Sequence, residues 1–187
     1  MAKLIYITNV SLDGYIEDDR GRFDWSEPGD DYFAFITDLI RPIGTHLYGR
    51  RLYDSMAVWE TDPALAAESE LTGEFAKAWQ DSDKVVYSTA MDAASTTRTR
   101  VERTFDPDAV RHLKASTGRD LMIGGAELAG HAFRAGLVDE YQVFIYPVLV
   151  GGGKPSLPRG THVELELLDE RRFSRGVVYL RYAVRRR

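Results

Sequence analysis

The chain has 187 residues, 44% hydrophobic and 28% charged, with a net charge of −5 and no cysteine. This length and composition suit one globular domain over residues 1–187, large enough to fold without a disulfide or a metal. The lack of cysteine excludes disulfide frameworks, thiolate zinc sites and cysteine nucleophiles, and the acidic balance argues against general nucleic-acid binding.

The apolar content of the chain predicts neither a membrane span nor an N-terminal signal peptide. No apolar run approaches the length needed to cross a bilayer. Residues 1–7 lack the long apolar core and small-residue cleavage site of a signal peptide. We therefore expect a mature cytoplasmic protein without a membrane partner. The terminal Arg185-Arg186-Arg187 is expected to be a solvated tail after the last strand.

The first half of the chain alternates predicted strands and helices. A short apolar run predicts a strand at residues 3–8. Phe33, Ile36 and Ile40 recur at helical spacing within residues 30–41, after two acidic residues. The other elements predicted here are a strand at 45–48, a short helix at 51–57, a helix at 61–80 that Thr72-Gly73 can interrupt, and strands at 84–88 and 96–101.

The second half continues this alternation and then changes to strands alone. Asp106-Pro107 is a helix start, and this helix ends at Gly118. The remaining predictions are a strand at 121–123, a helix at 126–135, a strand at 140–150 interrupted by Pro147, and a β-hairpin of 163–173 and 177–185. Alternation implies parallel strands with crossover helices. The sequence therefore predicts an α/β fold, a mixed sheet of about eight strands with helices on both faces and a C-terminal hairpin.

Two glycine motifs follow predicted strands and suggest anion binding. Gly124-Gly125 stands where a strand turns into a helix, so backbone N–H groups can approach a diphosphate. Gly49-Arg50-Arg51 follows another strand and offers two guanidinium groups for a phosphate. Each motif has an alternative: a purely steric turn for the glycines, and solvated helix-start residues for the arginines. Together they favour a dinucleotide with an extra ribose phosphate, NADPH rather than NADH.

Two further loops allow either a functional or a structural interpretation. Asp13, in Ser11-Leu12-Asp13-Gly14-Tyr15, can orient substrate or hold a water, or it can bond its own turn. Gly151-Gly152-Gly153-Lys154 is not a Walker A loop, because Pro155 stands where Ser or Thr would bind magnesium. It can approach a ligand or serve as a flexible connection. The four histidines show no metal-ligand spacing, so no metal site is expected.

In order and spacing, these segments resemble the dihydrofolate reductase superfamily, and within it the C-terminal domain of the riboflavin-biosynthesis deaminase–reductases. The resemblance covers nearly the whole chain. It is carried by Ser11-Leu12-Asp13-Gly14, by residues 47–53 around Gly49-Arg50-Arg51, by residues 121–126 ending in Gly124-Gly125-Ala126, by Val138-Asp139-Glu140, and by residues 147–151.

The resemblance implies an NADPH site and a nearby substrate site. Gly49, Arg50, Arg51 and Ser88 would then lie near the adenosine phosphates. The pyrophosphate would be lined by Gly124, Gly125, Ala126 and Glu127. Substrate would be bound by Asp13, Trp25, Asp30 and Asp31, with Asp13 or Asp31 in the catalytic role. Relatives of this type tend to form dimers, which implies a possible homodimer.

The sequence departs from the family in ways that leave the substrate open. It has no His-x-Glu and no cysteine pair, so the zinc deaminase half is absent. Gly-Arg-Arg after the second strand is closer to the folate enzymes than to the riboflavin reductases. The leading hypothesis is an NADPH-dependent reductase of a small pterin- or pyrimidine-like heterocycle. The alternative is a catalytically silent NADPH-binding module, while a flavodoxin-type fold is disfavoured by the terminal hairpin.

Overall fold

The computed structural model describes residues 1–185 and contains ten strands. The strands are β1 (Leu4–Ser11), β2 (Tyr15–Glu17), β3 (Thr45–Gly49), β4 (Asp83–Tyr87), β5 (Thr99–Glu102), β6 (Leu121–Gly124), β7 (Glu140–Tyr146), β8 (Lys154–Pro155), β9 (Glu164–Arg172) and β10 (Val178–Arg185). The helices are α1 (Asp30–Ile40), α2 (Arg50–Met56), α3 (Val58–Thr61), α4 (Pro63–Ala66), α5 (Glu70–Gln80), α6 (Pro107–Ser116) and α7 (Ala126–Arg134).

Eight of these strands form one mixed sheet in the order β5-β4-β3-β6-β1-β7-β10-β9. The first six pair in parallel, and β10 and β9 add an antiparallel hairpin. The expected α/β mixed sheet with a C-terminal hairpin is therefore confirmed. Because β4, β3, β6, β1 and β7 are parallel, their carboxyl ends meet at one edge of the sheet.

Each face of the sheet carries its own hydrophobic core. Strand β1 supplies both, since Leu4 and Tyr6 point to one face while Ile5 and Ile7 point to the other. Helix α7 and part of α6 cover the first face, and α1 and α5 cover the second. Each fully buried aliphatic or aromatic side chain contributes about 1.5–3 kcal/mol of transfer free energy. No helix of the described residues is long and apolar enough to span a membrane.

The predicted helix at 61–80 is wrong in its continuity. It is divided into α3, α4 and α5 by two breaks, one at Asp62 and one at residues 67–69, and neither lies at Thr72-Gly73. The Ser69 hydroxyl accepts the Thr72 backbone N–H, and the Thr72 hydroxyl accepts the Ser69 N–H in return. This reciprocal capping starts a new helix at Glu70 and leaves Gly73 inside it.

Two predicted strands have different limits. The strand expected at 96–101 begins at Thr99, because Arg98 has a φ of 52° that no strand accommodates. The strand expected at 140–150 ends at Tyr146, because Pro147 has no backbone N–H for the ladder. The short antiparallel pair of β2 and β8 was not predicted. Of the basic tail, Arg186 and Arg187 lie outside the described residues.

Candidate functional site

The two glycine motifs form a single crevice at the carboxyl edge of the sheet. Strands β3 and β6 are direct neighbours, with Tyr48 paired to Gly124. A Cβ atom built on Gly125 would lie 3.9 Å from the Gly49 backbone nitrogen. We call Gly49, Gly124 and Gly125 the glycine crevice. The two predicted anion sites are thus adjacent and on the same edge.

Each of the three positions has a different physical reason for being glycine. A Cβ at Gly124 would lie 2.4 Å from Leu52 Cδ2, so this glycine lets α2 pack on the sheet. Gly125 has a φ of 93°, which favours glycine. Gly49 faces open space. Gly124 therefore has the steric role, whereas Gly49 and Gly125 leave space open at the crevice.

The first turn of α7 is open to the crevice. Its N-cap residue, Gly125, has no side chain, so no side-chain cap satisfies the first backbone N–H groups of the helix. Ala126 is buried, and the Glu127 side chain is exposed. Backbone N–H groups without a side-chain cap and the helix dipole favour an anion here.

The predicted cations at the crevice are present and already paired. Arg50 lies 3.5 Å from Asp54, and Arg51 lies 3.2 Å from Glu17 on β2. Glu127 lies 2.8 Å from Lys154 on β8, and this lysine holds the pKa of Glu127 below its ordinary value. The sequence did not predict that Glu17 and Lys154 would reach this edge.

Ser88 lies at the end of β4, next to β3, as expected. Its hydroxyl accepts the backbone N–H groups of Ala90 and Met91 and thereby shapes the turn after β4. The Arg103 guanidinium donates to the carbonyl groups of Ser88, Thr89 and Met91. The sequence did not single out Arg103. It reaches this turn because β5, which it follows, pairs in parallel with β4.

Asp13 connects two loops at this edge. Its carboxylate accepts the backbone N–H groups of Val150 at 3.2 Å and Gly151 at 2.8 Å. A hydrogen bond from the Ser11 hydroxyl, followed by these amides, holds the pKa of Asp13 below its ordinary value. The Asp13 carboxylate is therefore ionised at neutral pH and acts as a hydrogen-bond acceptor.

Asp31 connects α1 to the turn between β9 and β10. It accepts the Ser174 hydroxyl at 2.6 Å and the Ser174 backbone N–H at 2.7 Å, and these bonds lower its pKa. Asp30 is its exposed neighbour on the first turn of α1. Both aspartates line a shallow cavity of about 480 Å³ together with Pro28, Gly29, Ser174 and Arg175.

A polar and aromatic group lies between α1 and the ends of β1 and β7. The Tyr32 hydroxyl donates to Asn9 Oδ1 at 2.8 Å. The Trp25 ring meets the Tyr146 ring edge-on, with centroids 5.9 Å apart. We call Asn9, Trp25, Tyr32 and Tyr146 the aromatic cluster. Only Trp25 among them was singled out by the sequence, because the other three have no local motif.

Two polar atoms of the aromatic cluster are buried without a partner. They are the Trp25 indole N–H and the Tyr146 hydroxyl, which make no hydrogen bond of good geometry within residues 1–185, although the Tyr32 hydroxyl lies close enough to Tyr146 to lower its pKa against the effect of burial. Burial raises the pKa of Tyr146 to about 12, so this hydroxyl stays protonated at neutral pH. An unsatisfied buried polar group costs about 1–3 kcal/mol. The cluster therefore favours an outside group that accepts hydrogen bonds.

Within residues 1–185, no group of three His, Asp or Glu side chains is arranged to hold a metal ion. The strand order, the parallel body of the sheet and the terminal hairpin define the dihydrofolate-reductase-like class of α/β proteins. The model of the RibD C-terminal domain family matches residues 2–179, and the chain belongs to this family.

Relatives in sequence and structure agree with this placement. The uncharacterized protein YyaP of Bacillus subtilis (strain 168) is 30% identical over 182 residues, which cover 96% of this chain and 94% of YyaP. A Shewanella sp. PV-4 protein, provisionally placed in riboflavin biosynthesis, matches in structure with a TM-score of 0.76 at 22% identity over the full length of both chains. A pyrimidine reductase-like protein of Corynebacterium diphtheriae matches with a TM-score of 0.67 at 13% identity, over 100% of this chain and 93% of its own.

A longer structure also matches. It is the diaminohydroxyphosphoribosylaminopyrimidine deaminase/5-amino-6-(5-phosphoribosylamino)uracil reductase of Thermotoga maritima, with a TM-score of 0.65 at 14% identity. The match covers 98% of this chain and 56% of that one. At this identity the likeness concerns the fold.

Proposed function

We propose that this protein is an NADPH-dependent reductase of a small pterin- or pyrimidine-like heterocycle. One observation carries the proposal: β3 and β6 are neighbours, so the two arginines that begin α2 after β3 lie beside the uncapped N-terminus of α7 after β6. A phosphorylated dinucleotide needs such a combination, one place for its pyrophosphate and one for its 2′-phosphate. The named family relatives that act as reductases support the same reaction class.

The residues at the crevice fit the cofactor. Backbone groups of Gly124, Gly125, Ala126 and Glu127 would hold the pyrophosphate, because no side chain fills the space beside Gly125. Arg50 and Arg51 would pair with the 2′-phosphate, next to Gly49 and the turn at Ser88. When bound, NADPH supplies the hydride for an electrophilic C=N or C=O carbon.

The substrate would lie beside β1, at the aromatic cluster. The Trp25 N–H and the Tyr146 hydroxyl would donate to its carbonyl oxygens or ring nitrogens, since both lack a partner in the chain. Asp30 lies on the exposed first turn of α1, two residues before Tyr32 of this cluster, and lines the shallow cavity beside Ser174. After hydride transfer, the substrate nitrogen or oxygen takes up a proton from water.

Asp13 and Asp31 would orient that water and the surrounding loops. Their lowered pKa values leave both carboxylates ionised at neutral pH, so they accept hydrogen bonds and do not hold a proton at rest. In this proposal Asp13 and Asp31 act by orienting groups near the substrate, and solvent water donates the proton.

Cofactor titration tests the proposal directly. Arg50→Ala should weaken NADPH binding by about tenfold or more and leave NADH binding nearly unchanged, because it removes a charge-assisted bond to the 2′-phosphate. The control is Arg172→Ala on β9, five strands from β3 in the sheet. Equal losses for both dinucleotides would contradict the assignment of Arg50, and no dinucleotide binding by the wild type would overturn the reductase.

A second candidate is a silent NADPH-binding module of the same fold. It is favoured by one observation: the carboxylates of Asp13 and Asp31 are engaged in hydrogen bonds within the chain. Tight NADPH binding without oxidation by a panel of dihydrofolate and ribosylamino-uracil substrates would select the module. Turnover with any of them would select the reductase.

We propose that the protein is a homodimer and that it is cytoplasmic. The outer edge of β9 is unpaired in the described chain, and Leu165, Leu167 and Leu168 are exposed on that strand. An unpaired strand edge with exposed apolar side chains favours association with a second copy. Light scattering after size-exclusion chromatography distinguishes monomer from dimer.

A further inference from the structure

Four charged side chains from four different elements connect across the mouth of the glycine crevice. Arg51 of α2 lies 3.2 Å from Glu17 of β2, Glu17 lies 3.9 Å from Lys154 of β8, and Lys154 lies 2.8 Å from Glu127 of α7. We call these residues the ion-pair chain. Glu17 and Lys154, in the middle, are mostly buried, whereas Arg51 and Glu127 are exposed.

The three-glycine loop places Lys154 in this chain. Gly153 has a φ of 128°, and a Cβ there would lie 2.0 Å from the Glu17 carbonyl oxygen. Only glycine therefore lets β8 approach β2, where Lys154 pairs directly with Glu17 in the register. The other end of the loop is held by Asp13 through the Gly151 N–H. The loop is an anchored connection that directs Lys154 to the start of α7.

Every cation of the ion-pair chain has a carboxylate partner within the chain. The same holds for Arg50, which pairs with Asp54. The set of Arg50, Arg51 and Lys154 against Glu17, Asp54 and Glu127 has no formal net charge, because three cations meet three carboxylates. The phosphate groups of a dinucleotide that binds here would therefore compete with these carboxylates for the cations. Glu17 matters most in this exchange, since it contacts both Arg51 and Lys154.

We propose that Lys154 is a phosphate-binding residue of the dinucleotide site and that Glu17 is a built-in competitor that the cofactor phosphates displace. The inference rests on the proposed function, and it adds a residue pair from the β2–β8 ribbon to the α2 and α7 residues. Lys154 meets the pyrophosphate, which NADPH and NADH share. Arg50 meets the 2′-phosphate, which only NADPH carries. The two residues thus have separable effects.

Substitutions of the central pair give opposite results. Lys154→Gln should weaken NADPH and NADH binding alike, by about tenfold, because it removes one charge-assisted bond to the shared pyrophosphate. Lys154→Arg should restore most of the affinity. Glu17→Gln should tighten NADH by about two- to fivefold, the range expected for releasing a partly exposed ion pair, and NADPH by at least as much, because it also frees Arg51 for the 2′-phosphate.

Matched controls separate this exchange from a general change of charge. Lys77→Gln breaks the exposed ion pair with Asp81 on α5, and Glu166→Gln breaks the exposed pair with Arg185 on the hairpin. Neither should change dinucleotide affinity. Isothermal titration of NADPH and of NADH at low and at moderate salt provides the measurement. The gain from Glu17→Gln should shrink as salt rises, because screening weakens the competing ion pairs.

The outcomes for this inference and for the reductase differ. If wild-type protein binds NADPH but Lys154→Gln binds it equally well, or Glu17→Gln binds it more weakly, the inference is overturned and the reductase stands. If the wild type binds neither dinucleotide, both fall. Thermal melts show whether Lys154→Gln is folded. If it is not, the test is the dinucleotide affinity of Lys154→Arg, because a folded arginine variant that binds more weakly than the wild type also overturns the proposal.

Discussion

The glycine crevice and the aromatic cluster lie at the same edge of the sheet but differ in how their polar groups are satisfied. At the crevice, the charged side chains that surround the glycines are all paired within the chain. In the aromatic cluster, the Trp25 N–H and the Tyr146 hydroxyl are buried without partners. Ligand binding therefore exchanges existing bonds at the crevice, whereas in the cluster it satisfies groups that had none.

This difference predicts how affinity and stability are related in each region. Removing a paired group at the crevice costs stability or binding, because its partner loses a bond. Removing an unpartnered group in the cluster relieves a cost in the free protein and harms only the bound state. Functional residues commonly lower stability in this manner.

The largest effect is expected at Gly125. Gly125→Ala places a side chain at a φ of 93°, so the free energy of unfolding should fall by about 1–3 kcal/mol and NADPH affinity by more than about tenfold. Gly118→Ala is the control, because a Cβ there meets nothing within 4 Å and its φ is ordinary. Chemical denaturation and NADPH titration measure both quantities. Unchanged affinity in Gly125→Ala would remove the crevice from the cofactor site.

The next largest effect is expected at Tyr146, in the aromatic cluster. Tyr146→Phe removes an unpartnered buried hydroxyl, so the free energy of unfolding should rise by about 1 kcal/mol while the substrate KM rises by about tenfold. NADPH affinity should not change. Tyr179→Phe is the control, because its buried hydroxyl donates to Gln142 at 2.9 Å and its loss should destabilise by about 1 kcal/mol.

Steady-state kinetics and urea unfolding decide the Tyr146 prediction. A fall in stability comparable to that of Tyr179→Phe would mean that the Tyr146 hydroxyl has a partner in the folded chain. An unchanged KM in a variant of unchanged or higher stability would separate the cluster from the substrate.

The smallest effect concerns the pH dependence of stability. The pKa of Asp31 is lower in the folded chain than its ordinary value of 3.8, so its bonds to Ser174 stabilise the fold above that value. This contribution is lost as pH falls through the folded pKa. Asp31→Asn should therefore lower the melting temperature slightly at pH 7 and flatten its decline below about pH 4.

The neighbouring Asp30→Asn is the control for Asp31, since it lies on the same exposed turn of α1. Its melting temperature at pH 7 should lie close to that of the wild type, because Asp30 makes no bond to Ser174. Equal curves for all three proteins would show that the Asp31–Ser174 bonds do not form in solution.

Much of the fold was predictable because its signals are local. Glycine and arginine directly after β3, and glycines directly after β6, marked the crevice, and the alternation of strands and helices placed both at one edge. The aromatic cluster was not predictable beyond Trp25. Asn9, Tyr32 and Tyr146 come from β1, α1 and β7 and carry no motif by themselves.

The loop after β7 shows how one pattern can have two meanings. Gly151-Gly152-Gly153-Lys154 allowed either a ligand loop or a flexible connection, and the structure makes it an anchored connection against β2. The partner of Gly153 is the Glu17 carbonyl, which lies far away in the sequence. No local rule states which distant backbone a glycine must admit.

Local patterns along the chain are sufficient to predict the α/β class, the terminal hairpin and the two glycine motifs, because hydrophobic periodicity and glycine placement act over a few residues. The assembled fold was needed to show that both motifs form one crevice, that Glu17 and Lys154 bridge its mouth, and that the Tyr146 hydroxyl is buried without a hydrogen bond of good geometry. These facts depend on which strands become neighbours, and that order follows from packing two cores onto one sheet.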